Sequence, residues 1–341
     1  TTTTGNITAG LEVTDENGQK IFEYGDVLIE SLNDEIVYDG NITGVNVTFG
    51  AAKDITIAGD GTHKITATGT LDEDAALTII STGGSVTMSN SGSLDAKNNL
   101  TIVANKDLTN NALGDLTAGK DISLISIEGD IDNNGNIKAE QGNVLLYAAA
   151  GGVDNDADIT AKNISLDAYK DLSVDFFNNH KLTATGAEAG DKLELISRNG
   201  DVLIWQNTNF EAGRDIIITA KKDVWNGMSQ GSQEGHDLVA KNGSITIMAE
   251  DGSFYNDADI KAKENIGIYA GDTIDSEGTI NAYGTGENEG NIFLQANNDI
   301  RQADGPVLGT NNVVLASLVG SVTLNDNVTS INGSVAVVAN G

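Results

Sequence analysis

The sequence has 341 residues, of which 40 are glycine, one is proline and none is cysteine, and 39% are hydrophobic. This hydrophobic content is too high for an intrinsically disordered chain, and the lack of cysteine excludes disulfide crosslinks. The formal net charge of −31 repels phosphate groups, which argues against nucleic acid and anionic membranes as partners. No apolar run is long enough to span a bilayer, so we expect no direct membrane insertion.

The N-terminal segment, residues 1–41, has the least regular pattern. A strand-like start is interrupted by the polar turn DENGQK, and two further strand-like runs follow. The end of a stack of strands exposes unpaired backbone groups that need covering. The segment therefore predicts an irregular N-terminal coil or cap.

Residues 42–341 repeat one unit of three short strands separated by polar corners. In each strand apolar residues alternate with polar ones, and a period of two predicts a strand with one buried face. Eight of the twelve spacings between unit starts are 20 to 23 residues, and the other four are longer. The units start at the following positions: Ile42, Ile65, Leu94, Leu116, Ile137, Ile159, Leu182, Phe210, Leu238, Ile260, Ile280, Val307 and Val328.

A repeat near 22 residues with three strands per unit is typical of a β-solenoid. The sequence therefore predicts an all-β fold, a right-handed parallel β-helix of about 13 coils of 20–23 residues, in which four longer coils carry insertions. We expect residues 42–341 to form one continuous solenoid domain. Because the last unit is incomplete, we also expect the chain to be a segment of a longer protein.

Asparagine recurs at one turn position after the third strand of the unit. Stacked asparagine side chains can hydrogen-bond to one another along the solenoid axis, so we predict a structural role for these residues. They are Asn110, Asn133, Asn155, Asn226 and Asn256.

The two adjacent long coils, residues 182–209 and 210–237, contain both tryptophans of the chain. Aromatic rings beside polar loops are typical of carbohydrate or protein recognition sites. We therefore predict a surface binding patch here, against the alternative that the rings fill widened corners. The patch consists of Trp205, Trp225, Met228, His236, Phe176 and Phe177.

Asp130, Asp132 and Asn134 precede Gly135 at alternate positions, as the oxygen ligands of a calcium loop do. The twelfth position of such a loop would be Gln141 rather than glutamate, and the same residues also suit an ordinary corner of the solenoid. We therefore assign no metal or other cofactor and keep these three residues as a weak Ca²⁺ candidate. No catalytic residue is assigned, because the three histidines are isolated in the sequence.

Units such as GNIKAEQGNVLLYAAAGGV, GDLTAGKDISLISIEGDI and NFEAGRDIIITAKKDV resemble the shaft repeats of filamentous haemagglutinin-type bacterial adhesins and exoproteins, a two-partner secretion family. The resemblance covers residues 42–341. It implies an extracellular or cell-surface location and a shaft that presents binding sites for a host or bacterial cell-surface glycan or protein. The Asn-Pro-Asn motifs of that family's secretion domain are absent, since the only proline is Pro306.

Two other functions stay open. Some parallel β-helices are polysaccharide lyases or glycosidases, which would require clustered carboxylates with arginine or lysine in a groove. A solenoid can also associate end to end, as a subunit of a self-assembling filament or surface layer. We expect a structural shaft rather than an enzyme.

Overall fold

The computed structural model describes residues 2–4, 6–14, 20–59, 61–69, 76–89, 92–111, 114–174, 180–205, 208–228 and 237–341. These residues form β-strands joined by turns and bends, and none of them lies in a helix. The chain divides into two compact units, Thr1–Ala161 and Lys162–Gly341.

The described residues of the first unit form 22 short strands. They are β1 (Thr2–Thr4), β2 (Ile7–Thr8), β3 (Gly10–Thr14), β4 (Lys20–Tyr24), β5 (Val27–Ser31), β6 (Ile36–Asp39), β7 (Ile42–Gly44), β8 (Val47–Ala51), β9 (Ile55–Ala58), β10 (Ile65–Ala67), β11 (Leu77–Ser81), β12 (Val86–Ser89), β13 (Leu94–Ala96), β14 (Leu100–Ala104), β15 (Leu108–Asn111), β16 (Leu116–Ala118), β17 (Ile122–Ser126), β18 (Ile131–Asn133), β19 (Ile137–Ala139), β20 (Asn143–Ala148), β21 (Val153–Asn155) and β22 (Ile159–Ala161).

Three parallel sheets run through this unit, and successive strands of the chain pass from one sheet to the next. We name them sheet 1 (β2, β7, β10, β13, β16, β19, β22), sheet 2 (β5, β8, β11, β14, β17, β20) and sheet 3 (β1, β6, β9, β12, β15, β18, β21). The exception is the antiparallel hairpin of β3 and β4, which lies within the segment predicted to be a cap. Strands β1, β2, β5 and β6 of that segment belong to the parallel sheets.

The second unit repeats the same arrangement, with 22 strands among its described residues. They are β23 (Asn163–Ala168), β24 (Leu172–Val174), β25 (Lys181–Ala184), β26 (Lys192–Ser197), β27 (Val202–Trp205), β28 (Asn209–Ala212), β29 (Asp215–Ala220), β30 (Val224–Met228), β31 (Asp237–Ala240), β32 (Ile245–Ala249), β33 (Phe254–Asn256), β34 (Asp259–Ala262), β35 (Ile266–Ala270), β36 (Ile274–Ser276), β37 (Ile280–Ala282), β38 (Ile292–Ala296), β39 (Ile300–Gln302), β40 (Val307–Gly309), β41 (Val313–Ser317), β42 (Val322–Leu324), β43 (Val328–Ser330) and β44 (Val335–Ala339).

In this unit sheet 1 contains β25, β28, β31, β34, β37, β40 and β43, sheet 2 contains β23, β26, β29, β32, β35, β38, β41 and β44, and sheet 3 contains β24, β27, β30, β33, β36, β39 and β42. The predicted all-β parallel solenoid, of about 13 turns, is confirmed.

The register confirms the predicted start of each coil. In the first unit Ile42, Ile65, Leu94, Leu116, Ile137 and Ile159 are successive partners in sheet 1. In the second unit Leu182, Phe210, Leu238, Ile260, Ile280, Val307 and Val328 are successive partners in the same way. The alternation in the sequence therefore fixes the stacking of coils within each unit. That residues 42–341 form one continuous domain stays a prediction.

The core is built from the inward position of each strand. In the first strand of a coil, an aliphatic residue and an alanine two positions later are both buried, as at Ile65 and Ala67. In the second strand, two large residues are buried before a small one, as at Leu100, Ile102 and Ala104. Burying these columns supplies most of the favourable free energy, at about 25 cal/mol per Å² of apolar surface.

The predicted asparagine ladders are present in the interior. Asn110 Nδ2 donates to Asn133 Oδ1 at 2.6 Å, and Asn133 Nδ2 donates to Asn155 Oδ1 at 2.6 Å. In the second unit Asn226 Nδ2 donates to Asn256 Oδ1 at 2.7 Å. All five side chains are buried, so these hydrogen bonds satisfy amides that would otherwise be costly to desolvate.

A second ladder runs along the corner that precedes sheet 3. An aspartate Oδ1 in one coil accepts a hydrogen bond from the backbone N–H of the equivalent residue in the next coil. The pairs are Asp54 with Ser85, Asp107 with Asp130, and Asp130 with Gly152 in the first unit, and Asp171 with Asp201, Asp201 with Asp223, Asp223 with Ser253, and Asp299 with Ser321 in the second. This contact explains why aspartate followed by an aliphatic residue recurs at the start of the third strand, as in KDI at 53–55, GDI at 129–131 and GDV at 200–202.

Two of the longer coils contain an inserted loop that is closed by its own carboxylate. Asp191 Oδ2 accepts the Glu188 backbone N–H at 3.0 Å, and Glu289 Oε2 accepts the Gly286 backbone N–H at 3.2 Å. Burial opposes the charged form of Asp191, but its hydrogen bonds hold the pKa of this carboxyl below its ordinary value. The insertions expected in these two coils are therefore ordered turns that leave the strand register unchanged.

Candidate functional site

The two tryptophans lie on the outer face of sheet 3 in the second unit. Trp225 stacks on Tyr255 of the neighbouring strand, with ring centroids 3.9 Å apart and planes 19° apart. Trp205 donates a hydrogen bond from Nε1 to Ser173 Oγ at 3.1 Å. All three rings are partly buried. Contacts along the sheet therefore occupy one face of the Trp225 ring and the indole N–H of Trp205.

A β-bulge sets the relative position of the tryptophans. Ile204 pairs with Asn226, but the next residue, Trp205, pairs with Met228, so Gly227 is the extra residue. Gly227 has φ of 95°, a left-handed backbone conformation that favours glycine. The bulge brings Trp205 beside the end of β30.

The rest of the predicted patch is outside what the structure describes. Phe176, Phe177 and His236 lie outside the described residues, and of Met228 only the backbone is described. The six-residue patch therefore stays a prediction, of which Trp205 and Trp225 lie on neighbouring strands of one sheet.

The outer column of sheet 3 continues from Tyr255 to Asp275 and then to Arg301. Arg301 Nη1 donates to Asp275 Oδ2 at 3.1 Å. At the adjoining corner, partial burial together with the charges of Glu277 and Asp275 raises the pKa of Asp257. Asp275 thus lies beside Tyr255 of the stack, with Arg301 beyond it and Asp257 and Glu277 at the adjoining corner. Sequence reasoning missed this arrangement because these residues come from three different coils.

Each of the three arginines forms an ion pair within the second unit. The pairs are Arg198 with Asp167, Arg214 with Glu264, and Arg301 with Asp275. Asp167 is 8% exposed, and its two carboxylate oxygens accept hydrogen bonds from Nε and Nη2 of Arg198. Bidentate pairs of this kind hold neighbouring coils together.

The calcium candidate spans β18: Asp130 lies at the corner before this strand, Asp132 lies within it and Asn134 lies at the corner after it. Asp130 Oδ1 accepts the Gly152 N–H at 2.8 Å, whereas Asp132 Oδ1 accepts the Asn134 amide at 2.6 Å. The described residues contain no group of three or more His, Cys, Asp or Glu side chains placed to hold a metal ion. These contacts favour the structural role of the corner, and calcium binding at Asp130, Asp132 and Asn134 stays a prediction.

A surface groove of about 490 Å³ lies on sheet 2 of the second unit, where this sheet turns toward sheet 3. Met248, Tyr269 and Gln295 are register partners on three successive strands, so their side chains form one outward column across the groove. The groove is lined by Met248, Ala249, Glu250, Tyr269, Ala270, Gly271, Gln295, Asn297 and Leu318. We name it the Tyr269 groove.

A smaller groove of about 300 Å³ lies on sheet 2 of the first unit. It forms at Gly50, whose missing side chain leaves space between Glu30 and Ile80 in the outward column. Leu32 at its rim is 81% exposed. The first unit thus has an apolar surface feature on the same sheet, without an aromatic side chain in an outward position at the groove.

Sequence reasoning missed the Tyr269 groove because outward positions vary between coils. The signal that could have revealed it is the combination of Met248 and Tyr269 at equivalent outward positions of adjacent coils, with Gly267 two residues before the tyrosine. In the other coils the position of Gly267 holds a residue with a side chain, such as Thr246 or Phe293.

Comparison with known proteins gives no match among family models, curated proteins or solved structures. In the described part of the chain, no helix is long and apolar enough to cross a membrane.

Proposed function

We propose that this chain is the shaft of an extracellular bacterial surface adhesin or exoprotein, a structural element that presents binding sites for a glycan or protein on a host or bacterial cell. The observation that supports this proposal is the use of polar side chains between coils. Interior asparagines, corner aspartates and all three arginines bond from one coil to another within a unit. Side chains used in this way stabilise a repeat array.

Small-angle X-ray scattering of the purified chain, with a parallel assay for sugar release from polysaccharides, tests the proposal. An elongated particle without turnover supports the shaft. A compact scattering profile would contradict it. Particles that lengthen with protein concentration would instead favour end-to-end association into a filament or surface layer.

A glycan-processing enzyme is the second candidate, favoured by the carboxylates beside the aromatic stack. A carboxyl with a raised pKa, such as that of Asp257, suits a general acid. In this case the chain would cleave a polysaccharide, and the Asp257→Asn variant would lose this cleavage. The control is Asp304→Asn, which changes an exposed carboxylate after β39 and should leave cleavage unchanged. Absence of turnover on a broad polysaccharide panel rules this candidate out.

A further inference from the structure

Tyr269 lies along its own strand instead of projecting away from the sheet. A Cβ atom added at Gly267 would lie 3.2 Å from Tyr269 Cε2 and 3.5 Å from the phenolic oxygen. The ring therefore covers the backbone at Gly267, where a side chain would make a tight contact with the ring. Phe293 on the next strand supports the ring, with centroids 5.5 Å apart and planes 41° apart.

The groove beside this ring combines apolar walls with free amides. Met248 is 37% exposed and Leu318 is 47% exposed. Among the described residues, no protein group pairs with the side-chain amide of Gln295 or Asn297. The two amides can therefore donate hydrogen bonds to a ligand and accept hydrogen bonds from it.

Sugars present the complementary chemistry. A pyranose ring has an apolar face of C–H groups that packs on an aromatic ring, and hydroxyl groups around its edge that bond to amides and carboxylates. A volume of about 490 Å³ lies within the range of about 300–1,000 Å³ that is usual for small-ligand sites.

The charge around the groove selects among sugars. Glu250 lines the groove, Asp251 and Asp272 follow at the same corner, and the chain has a net charge of −31. Lys221, which pairs with Glu250, is shared with Asp251. A sialylated, uronic or sulphated sugar would be repelled by this surface.

We infer that the Tyr269 groove is a binding site for an uncharged saccharide, with the Tyr269 ring as the stacking platform and Gln295 and Asn297 as hydrogen-bonding groups. This inference rests on the proposed function, because it assigns a ligand class and a location to the recognition that an adhesin shaft requires. It also places recognition on sheet 2, away from the predicted tryptophan patch on sheet 3.

The test is binding of the whole chain to an array of neutral and acidic oligosaccharides, followed by titration of the best neutral ligand. Tyr269→Ala is expected to weaken binding about tenfold, since an aromatic anchor commonly dominates a small site. Gln295→Ala is expected to weaken it severalfold, and this variant removes no buried group. Tyr169→Ala, which removes a tyrosine that is 46% exposed elsewhere in the unit, is the matched control and is expected to leave affinity unchanged.

A Gly267→Ala variant gives a second readout that keeps the tyrosine. Its new methyl group would shift the ring by a few tenths of an ångström and weaken binding without removing any contact atom. The inference would be overturned if the chain bound no glycan or bound acidic glycans only. It would also be overturned if the Tyr269→Ala and Gln295→Ala variants bound the ligand as tightly as the unmodified chain. An elongated scattering particle in the same preparation would show that the shaft proposal survives this failure.

Discussion

At the scale of single residues, stability depends on polar side chains that connect one coil to the next. The asparagine ladder inside the first unit and the aspartate ladder at the corner use one hydrogen bond per coil. The interior amides hydrogen-bond to one another because they are buried away from water. The corner carboxylates instead accept hydrogen bonds from backbone N–H groups at the surface. Removal of a ladder residue therefore deprives each neighbour in the ladder of one hydrogen bond.

Asn133→Ala is expected to lower the free energy of unfolding by about 2–3 kcal/mol, because Asn155 Oδ1 loses its donor and Asn110 loses an acceptor in a buried site. Urea denaturation followed by circular dichroism measures the change. The matched control is Asn134→Ala, which removes an exposed neighbouring amide and is expected to cost less than about 1 kcal/mol. Equal effects of the two substitutions would show that the interior ladder adds no more to the free energy of unfolding than an exposed amide does.

Asp299 is expected to make stability depend on acid pH. Hydrogen bonds from the backbone N–H and the hydroxyl of Ser321 hold the pKa of Asp299 below its ordinary value of 3.8. The contribution of this carboxylate is therefore complete above pH 3.8 and is lost as the pH falls through its lower folded-state pKa. Asp299→Asn keeps an acceptor oxygen, so its urea midpoint should fall less between pH 5 and pH 2 than that of the unmodified chain.

The control for this comparison is Asp304→Asn, which changes an exposed carboxylate in the same coil. Its midpoint should follow the unmodified chain at every pH. If the urea midpoint of Asp299→Asn also changed with pH as that of the unmodified chain does, the hydrogen bonds of Asp299 would not be a source of acid sensitivity.

At the scale of the strand, alternation divides each element into a buried and an outward set. Leu166 in β23 is fully buried and pairs with Leu195, whereas its neighbour Ser165 faces outward beside Glu194. The inward set of one coil packs only on the coils above and below it. Local damage in a repeat array is consequently severe but confined to neighbouring coils.

Leu166→Asp is expected to destabilise the second unit by more than about 4 kcal/mol, since it places an unpaired charge in the core and removes apolar contacts. Hydrogen exchange measured by mass spectrometry should show lost protection in β23 and the adjacent strand β26. Ser165→Asp introduces the same charge one residue away on the outer face and should leave protection nearly unchanged. A melting temperature for Leu166→Asp close to that of the unmodified chain would contradict the assignment of the core.

At the scale of the whole molecule, the dominant property is an excess of negative charge. Most lysines and all three arginines are engaged with carboxylates, as where Glu211 lies between Lys181 and Lys241. The bonds from these two lysines hold the pKa of Glu211 below its ordinary value despite partial burial. The many remaining carboxylates repel one another, which keeps the chain soluble but opposes folding.

Raising the ionic strength from about 10 mM to about 150 mM shortens the screening length from about 30 Å to about 8 Å and should raise the melting temperature by several degrees. Differential scanning calorimetry at pH 7 measures this effect. Near the sequence pI of about 4.1 the net charge vanishes and the salt dependence should disappear. A melting temperature that falls with salt at pH 7 would mean that ion pairs, rather than net repulsion, dominate.

The sequence by itself determined the inward half of this protein. Coil starts such as Ile65 and Phe210, the core columns and the interior asparagines follow from alternation, because every coil presents the same environment to its inward residues. The outer face was decided only by the tertiary structure. The bulge at Gly227, the Trp225–Tyr255 stack and the Tyr269 groove each join outward residues from different coils. Outward positions share no common environment, so their contacts depend on which side chains the register places side by side.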